Sequence, residues 1–274
     1  MEDENIDNKQ ITQDNLKRVN DLVEKIQNMT AEEFRAMLDS MAKFHNYSFS
    51  NRLILWGAGA SQVAGFQKWK SFGRSVKKGG KAIWILAPNG EFRVVKKKLD
   101  SEGKETDEEY FIKRFKSVPV FDIKDTEGKD IEKNFTIRSN IDFEVMKGVA
   151  TNLGFGVMHQ PMEVSIGGFI RAANSIVLNS NLNSIENTGT LIHEVCHGLL
   201  GHTDLGVNDT APIRDRELTE QEAEITTYLV CQAIGIERKS EFYLKSWETS
   251  KEIMKSFNRI DNAMQSIIQE ISKK

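Results

Sequence analysis

Cysteine is scarce in this chain of 274 residues: Cys196 and Cys231 are the only two, too few for a disulfide framework. A reducing, cytoplasmic setting is expected. Long apolar runs are also missing, so no membrane-spanning helix is expected. The acidic, polar first ten residues do not read as a secretory signal, and no internal repeat or low-complexity tract occurs. Acidic residues nearly vanish from one stretch. Between Lys43 and Lys98, twelve Lys and Arg stand against a single acid, Glu91, so this stretch carries +11 and the rest of the chain −14 behind a net charge of −3. Such segregation implies two regions with different electrostatic roles, the basic one suited to a polyanion. At 39% hydrophobic and 28% charged residues the chain is otherwise an ordinary globular protein with room for two domains.

Local patterns give an α+β reading. Apolar residues at Leu16, Val19, Leu22, Val23 and Ile26 predict a helix over 12–28. Thr30 with Glu33 forms a capping-box signature for a second helix reaching about His45. Ser50 to Trp56 and Gly65 to Phe72 read as short helices. Lys81-Ala-Ile-Trp-Ile-Leu-Ala87 and Phe92-Arg-Val-Val-Lys96 read as strands, joined by a tight turn at Asn89-Gly90. Further strands are expected at 110–115 and 118–123, after a charged loop over 100–109. A polar linker at 125–134 then separates a domain of residues 1–135 from one of 136–274. The second domain should hold a helix at 142–152, strands at 156–159, 167–171 and 175–178, and a helix from Asn187 or Thr188. Helices at 217–234 and 250–272 complete it. The last carries an apolar stripe, Ile253, Phe257, Ile260, Met264, Ile267 and Ile271, expected to face the core.

The motif His193-Glu194-Val195-Cys196-His197 carries the clearest chemistry. Histidines four apart on a helix project from one face, where two imidazole nitrogens can bind one Zn²⁺ at about 2.0–2.1 Å. Glu194 stands where a carboxylate can take a proton from a metal-activated water. A third protein ligand is required. His202 is five residues past His197, one short of the metzincin spacing. The next helix offers Glu217, Glu220, Glu222 and Glu224. Glu222-Ala223 resembles the Glu-Ala step that supplies the third ligand in gluzincin-type peptidases, which makes Glu222 the expected ligand and Glu224 the second choice. The strand at 175–178 ahead of the motif is expected to hold an extended substrate. Cys196 points away from the histidine face and reads as a buried thiol.

In the basic stretch, positive charge is mixed with Tyr47, Phe49, Trp56, Phe66, Trp69, Phe72 and Trp84. Cations for phosphates and flat side chains for unstacked bases are what single-stranded nucleic-acid binding asks for. Candidate DNA contacts are Tyr47, Asn51, Arg52, Lys68, Trp69, Lys70, Arg74, Lys77, Lys78 and Lys81. The last four belong to a Gly-rich basic loop able to approach phosphates closely. Trp84, in an apolar strand, reads as core.

Asn46-Tyr-Ser-Phe-Ser-Asn51, Gly65-Phe-Gln-Lys-Trp-Lys-Ser-Phe-Gly-Arg74 and Val76-Lys-Lys-Gly-Gly-Lys-Ala82 together resemble the N-terminal single-stranded-DNA-binding domain of ArdC-type antirestriction proteins. Val118-Pro-Val-Phe-Asp-Ile123 with Thr126-Glu-Gly128 looks like that domain's closing segment. The C-terminal half resembles the zincin-like metallopeptidase domain of the same family and, more distantly, ImmA/IrrE-type peptidases. The resemblance covers roughly residues 10–240. It implies a protein of a conjugative element or phage that shields incoming single strands, with Zn²⁺ as cofactor and a protein or peptide substrate it does not name. Two other readings stand beside it: a regulatory protease that cleaves a repressor, and a DNA-coating protein with a non-catalytic zinc site.

Overall fold

The computed structural model describes residues 2–26, 28–99, 105–131, 141–163, 168–171, 174–202, 216–236 and 250–273. Packing divides the chain into two units, one of residues 1–22 with 53–131 and one of 23–52 with 132–274. The division therefore departs from chain order. The segment 23–52 belongs with the C-terminal residues, and the later crossing follows Ile131, within the expected linker.

The first unit holds most of α1 (Glu2–Ile26), the end of α3 (Phe49–Gly57), β1 (Val63–Ala64), α4 (Phe66–Ser71), β2 (Arg74–Val76), β3 (Ala82–Leu99), β4 (Glu105–Asp122), a 3₁₀ turn (Ile123–Asp125) and β5 (Thr126–Gly128). One sheet runs β1-β4-β3 and a second pairs β2 with β5, antiparallel throughout. The expected hairpin at Asn89-Gly90 does not form. Pro88 faces Phe115 and Glu91 faces Lys113, so three steps on β3 match two on β4 and one residue is extra. This is a bulge, with Gly90 supplying the positive φ of 80° that it needs. An uninterrupted partner strand, invisible to a local reading, makes the difference. The strands expected at 110–115 and 118–123 are one strand. The expected charged loop is strand from Glu105, its register setting Lys96 against Glu108 and Lys97 against Asp107; residues 100–104 lie outside the described residues.

α1 starts earlier than its apolar spacing predicts, and Leu16 is exposed. Asn15 is buried instead, donating to Ser117 Oγ at 3.0 Å, with Thr12 Oγ1 3.2 Å from the same hydroxyl. Trp69 is fully buried, its indole N–H donating to the Phe121 carbonyl at 2.9 Å and fixing α4 to β4.

The second unit holds α2 (Ala31–Lys43), α5 (Phe143–Asn152), β6 (Gly156–Gln160), β7 (Gly168–Arg171), β8 (Ser175–Asn179), α6 (Ser184–Leu199), α7 (Arg216–Ile234) and α8 (Ser250–Ser272). Both capping-box bonds at Thr30 and Glu33 are present. The sheet order is β6-β8-β7, with β8 parallel to β6 and antiparallel to β7. Fully buried Ile176, Val177 and Leu178 fit this central strand. Gly167 of the expected 167–171 strand lies outside the described residues. In α8, Phe257, Ile260, Met264, Ile267 and Ile271 are all buried as the stripe predicts; Ile253's surroundings lie outside the described residues. Phe257 stacks on Phe49 with ring centroids 4.8 Å apart and meets Phe34 at 6.3 Å.

His45 is also buried in this unit, and burial pushes its imidazole below the ordinary 6.5, aided by the Arg52 charge. A depressed folded value means the unfolded chain binds the proton more readily. His45 thus contributes stability above about pH 6.5 that fades as pH falls through the folded value. The denaturant midpoint should drop between pH 7.5 and 5.5, and less steeply in His45→Gln; equal slopes would contradict the assignment.

Candidate metal centre and nucleic-acid face

The helix bearing the histidines starts at Ser184, earlier than expected. Glu186 N–H donates to Asn183 Oδ1 at 3.0 Å and Asn183 N–H to Glu186 Oε2 at 3.1 Å, a capping box built on Asn. From this start, α6 brings the Nε2 atoms of His193 and His197 to 3.0 Å, their rings nearly perpendicular at 80°. α7 packs against α6, and Glu220 Oε2 lies 3.5 Å from each of those two nitrogens. Among the described residues these three donors form the one cluster able to hold a metal ion. A tetrahedral ion with arms of about 2.0–2.1 Å sets its donors roughly 3.4 Å apart, and the observed 3.0 and 3.5 Å bracket that spacing. A hydrogen bond with His193, above all, holds the Glu220 carboxyl well below the usual carboxylate range. Glu194, next to the first histidine, is buried at 7% exposure.

Glu222, the ligand expected from sequence, is not in this cluster. Its side chain is 1% exposed; one carboxylate oxygen takes a 2.7 Å bond from His202 Nε2, and the other accepts from Ser256 Oγ and Arg259 Nη2. Burial alone would raise its carboxyl, but His202, Ser256 and the Arg259 charge outweigh burial and bring it below the ordinary value. Helix geometry explains the correction. At about 100° per residue, Glu220 and Glu224 share a face while Glu222 lies roughly 200° round from Glu220. Glu224, the second choice, stands behind His193: its Oε1 is 3.2 Å from His193 Nδ1, within ion-pair reach but without hydrogen-bond alignment. A signal for Glu220 was available, since a Glu pair four apart repeats the spacing of the His pair it must meet.

The strand expected to hold substrate is also reassigned. β8 is the central strand, its backbone groups paired on both sides, so among the described residues the edges of this sheet are β6 and β7.

The ten expected DNA contacts divide sharply. Lys68, Lys70, Lys77, Lys78 and Lys81 are exposed in the first unit. Lys68 Nζ lies over Phe72 at 4.8 Å and Lys70 Nζ over Phe66 at 4.9 Å, and both rings are among the exposed large hydrophobics. Lys77 Nζ donates to the Lys124 carbonyl at 2.9 Å. The Gly-rich loop is a hydrogen-bonded turn, with Gly80 N–H to Lys77 O and Lys77 N–H to Asp125 O, both at 2.9 Å. The other five candidates are buried, or half-buried in the case of Tyr47. Trp69 offers no face to a base. Arg74 directs its guanidinium to Thr126 Oγ1 at 2.8 Å, Thr126 O at 3.0 Å and the Lys129 carbonyl, tying β2 to β5. Arg52 is fully buried in an ion pair with Asp261, Asn51 is buried and Tyr47 half-buried, and all three belong to the second unit. Large amphipathic side chains fill cores as readily as they meet ligands, so composition could not separate the two sets.

Residues 8–121 match the family model of the N-terminal domain of anti-restriction factor ArdC, and residues 150–254 match the IrrE N-terminal-like domain of the M78 peptidases. An uncharacterized protein of Bacillus anthracis is 25% identical over 294 residues, spanning 89% of this chain; the chain covers about half, 48%, of that relative's length. The Mn(II)-bound crystal structure of the antirestriction protein ArdC from the R388 plasmid aligns over 94% of this chain and 97% of its own, at 16% identity and a TM-score of 0.53, which shows a shared fold. Its metal-free form aligns over 83% and 86% with a TM-score of 0.47. With its α+β architecture and these two domains in this order, the chain belongs to the ArdC-type proteins.

Proposed function

We propose that the chain is an antirestriction protein of a mobile element, acting in the cytoplasm, which binds single-stranded DNA and carries a zinc peptidase site. The observation that carries the reading is the convergence of His193, His197 and Glu220 beside buried Glu194. Two imidazoles and one carboxylate suit Zn²⁺ in a catalytic role, with one position left for water or substrate. When bound there, the ion supplies Lewis acidity, acidifying a water and polarising a carbonyl. Glu194 takes the proton as water attacks the scissile carbonyl and returns it to the leaving amine. The exposed Lys68/Phe72 and Lys70/Phe66 pairs, with Lys77, Lys78 and Lys81, supply cations for phosphates and rings for bases.

Metal analysis and single-strand binding on one purified sample test both halves of this reading. About one zinc per chain is expected, with tighter binding to single strands than to duplex. Affinity should fall as salt rises, because each neutralised phosphate releases condensed counterions, about 0.7 per contact on a single strand. Lys77→Glu with Lys78→Glu should weaken binding and flatten that slope by roughly 1 or more. Salt-independent binding, or none, sinks the nucleic-acid half; a chain that binds no zinc sinks the peptidase half.

A further inference from the structure

A run of buried polar groups leads away from the metal donors and plays no part in hydrolysis as derived above. It begins at the end of α6. Gly201 adopts φ 70°, Gly201 N–H bonds to the Gly198 carbonyl at 3.1 Å and His202 N–H to the His197 carbonyl at 3.0 Å. That is a Schellman closure, and it turns the chain so that the residue after the glycine folds back on the last helical turn. The His202 ring consequently lies 5.0 Å from the His197 ring, with the two Nδ1 atoms 2.9 Å apart. His202 Nε2 is 2.7 Å from Glu222, whose far oxygen accepts from Ser256 and Arg259 of α8.

The two nitrogens of His202 face different partners, Nδ1 toward His197 and Nε2 toward Glu222, and among the described residues the donors grouped for a metal are His193, His197 and Glu220, so this arrangement is a relay. One proton pattern satisfies these contacts and leaves His197 able to hold a metal. Glu222 can only accept when ionised, so His202 carries its proton on Nε2 and presents a bare Nδ1. In this pattern His197 donates from Nδ1, so its Nε2, 3.0 Å from His193 Nε2 and 3.5 Å from Glu220, carries no proton and can hold the ion.

We infer that His202, Glu222 and Arg259 are positioning residues that fix the tautomer and orientation of the ligand His197, so that the C-terminal helix completes the metal site. The inference rests on the metal-site reading. Ser256 and Arg259 lie beyond residue 254, where the match to the peptidase domain ends. Partners that hold a metal-binding histidine typically change metal affinity about 10–100-fold when removed.

The test is zinc affinity by competition titration on the full chain, for wild type, Glu222→Gln, Arg259→Gln and Glu220→Ala. Thermal unfolding and the ¹⁵N signature of the His197 ring in the metal-free protein are measured alongside. Expected are a single Nδ1–H tautomer of His197 in wild type, and mixed tautomers with about 10–100-fold weaker zinc binding in Glu222→Gln. Arg259→Gln, at a side chain 48% exposed and so tolerant of change, should move both readouts the same way and by less. It keeps the test open if Glu222→Gln fails to fold. Wild-type affinity and tautomer in both glutamine variants would overturn the inference and leave the metal reading standing. Zinc binding abolished in Glu222→Gln but kept in Glu220→Ala would overturn it by making Glu222 a ligand. Wild type without zinc affinity overturns the metal reading and this inference with it.

Discussion

Glu194→Gln is expected to keep its metal, its fold and its single-strand binding while losing at least ~10²-fold in peptide-bond turnover. The two side chains have nearly the same size, so a position that is only 7% exposed should accept the amide without repacking. What the amide cannot do is take a proton. Glu194 is not among the three clustered donors, so zinc content should be unchanged. DNA binding should be unchanged too, because the exposed lysines at 68, 70, 77, 78 and 81 belong to the other unit. Protection of incoming DNA in cells then separates the two activities. Under the proposed division the glutamine variant still protects and the Lys77→Glu/Lys78→Glu variant does not. Loss of protection in Glu194→Gln, with zinc and DNA binding intact, would make catalysis central and refute that division.

Trp69→Ala should destabilise the first unit by about 3–5 kcal/mol, the usual cost of truncating a buried large aromatic. Trp69 is fully buried and its N–H satisfies the Phe121 carbonyl, which would be left without that donor. Single-strand binding should fall only as far as the unit unfolds. Phe72→Ala provides the contrast. Its ring is 40% exposed beneath Lys68, so it should keep the fold and lose about 1–3 kcal/mol of binding per base stacked there. Denaturation curves and strand titrations on the two variants decide the matter. A Trp69→Ala chain with wild-type stability and lost binding would return Trp69 to the DNA-contacting set.

The sequence was most legible where local chemistry acts alone. The capping box at Thr30 and Glu33 set the start of α2, and the α8 stripe identified its buried face, because both depend on residues within a turn or two. The histidine pair was legible for the same reason. Reading failed where a distant partner decided the outcome. Asn89-Gly90 carries the signature of a turn, yet β4 offers an unbroken edge and converts it to a bulge. Arg52, Trp69 and Arg74 look like DNA contacts by composition, but Asp261, the Phe121 carbonyl and Thr126 draw them inside. The two-residue Glu-Ala resemblance points to Glu222, with Glu224 second, and passes over Glu220. Helical phase turns Glu222 toward Ser256 and Arg259, residues more than thirty positions away.

The central claim is that His193, His197 and Glu220 hold one divalent ion in this ArdC-type chain. The most direct measurement is equilibrium dialysis against zinc, followed by metal analysis, for wild type and the single variants His197→Ala, Glu220→Ala and Glu224→Ala. The account predicts about one ion per wild-type chain. It predicts near-complete loss in His197→Ala and Glu220→Ala, and an intermediate effect in Glu224→Ala, whose carboxylate stands behind His193. Full zinc occupancy in Glu220→Ala, with loss in Glu224→Ala, would contradict the assignment and move the third ligand one turn along α7.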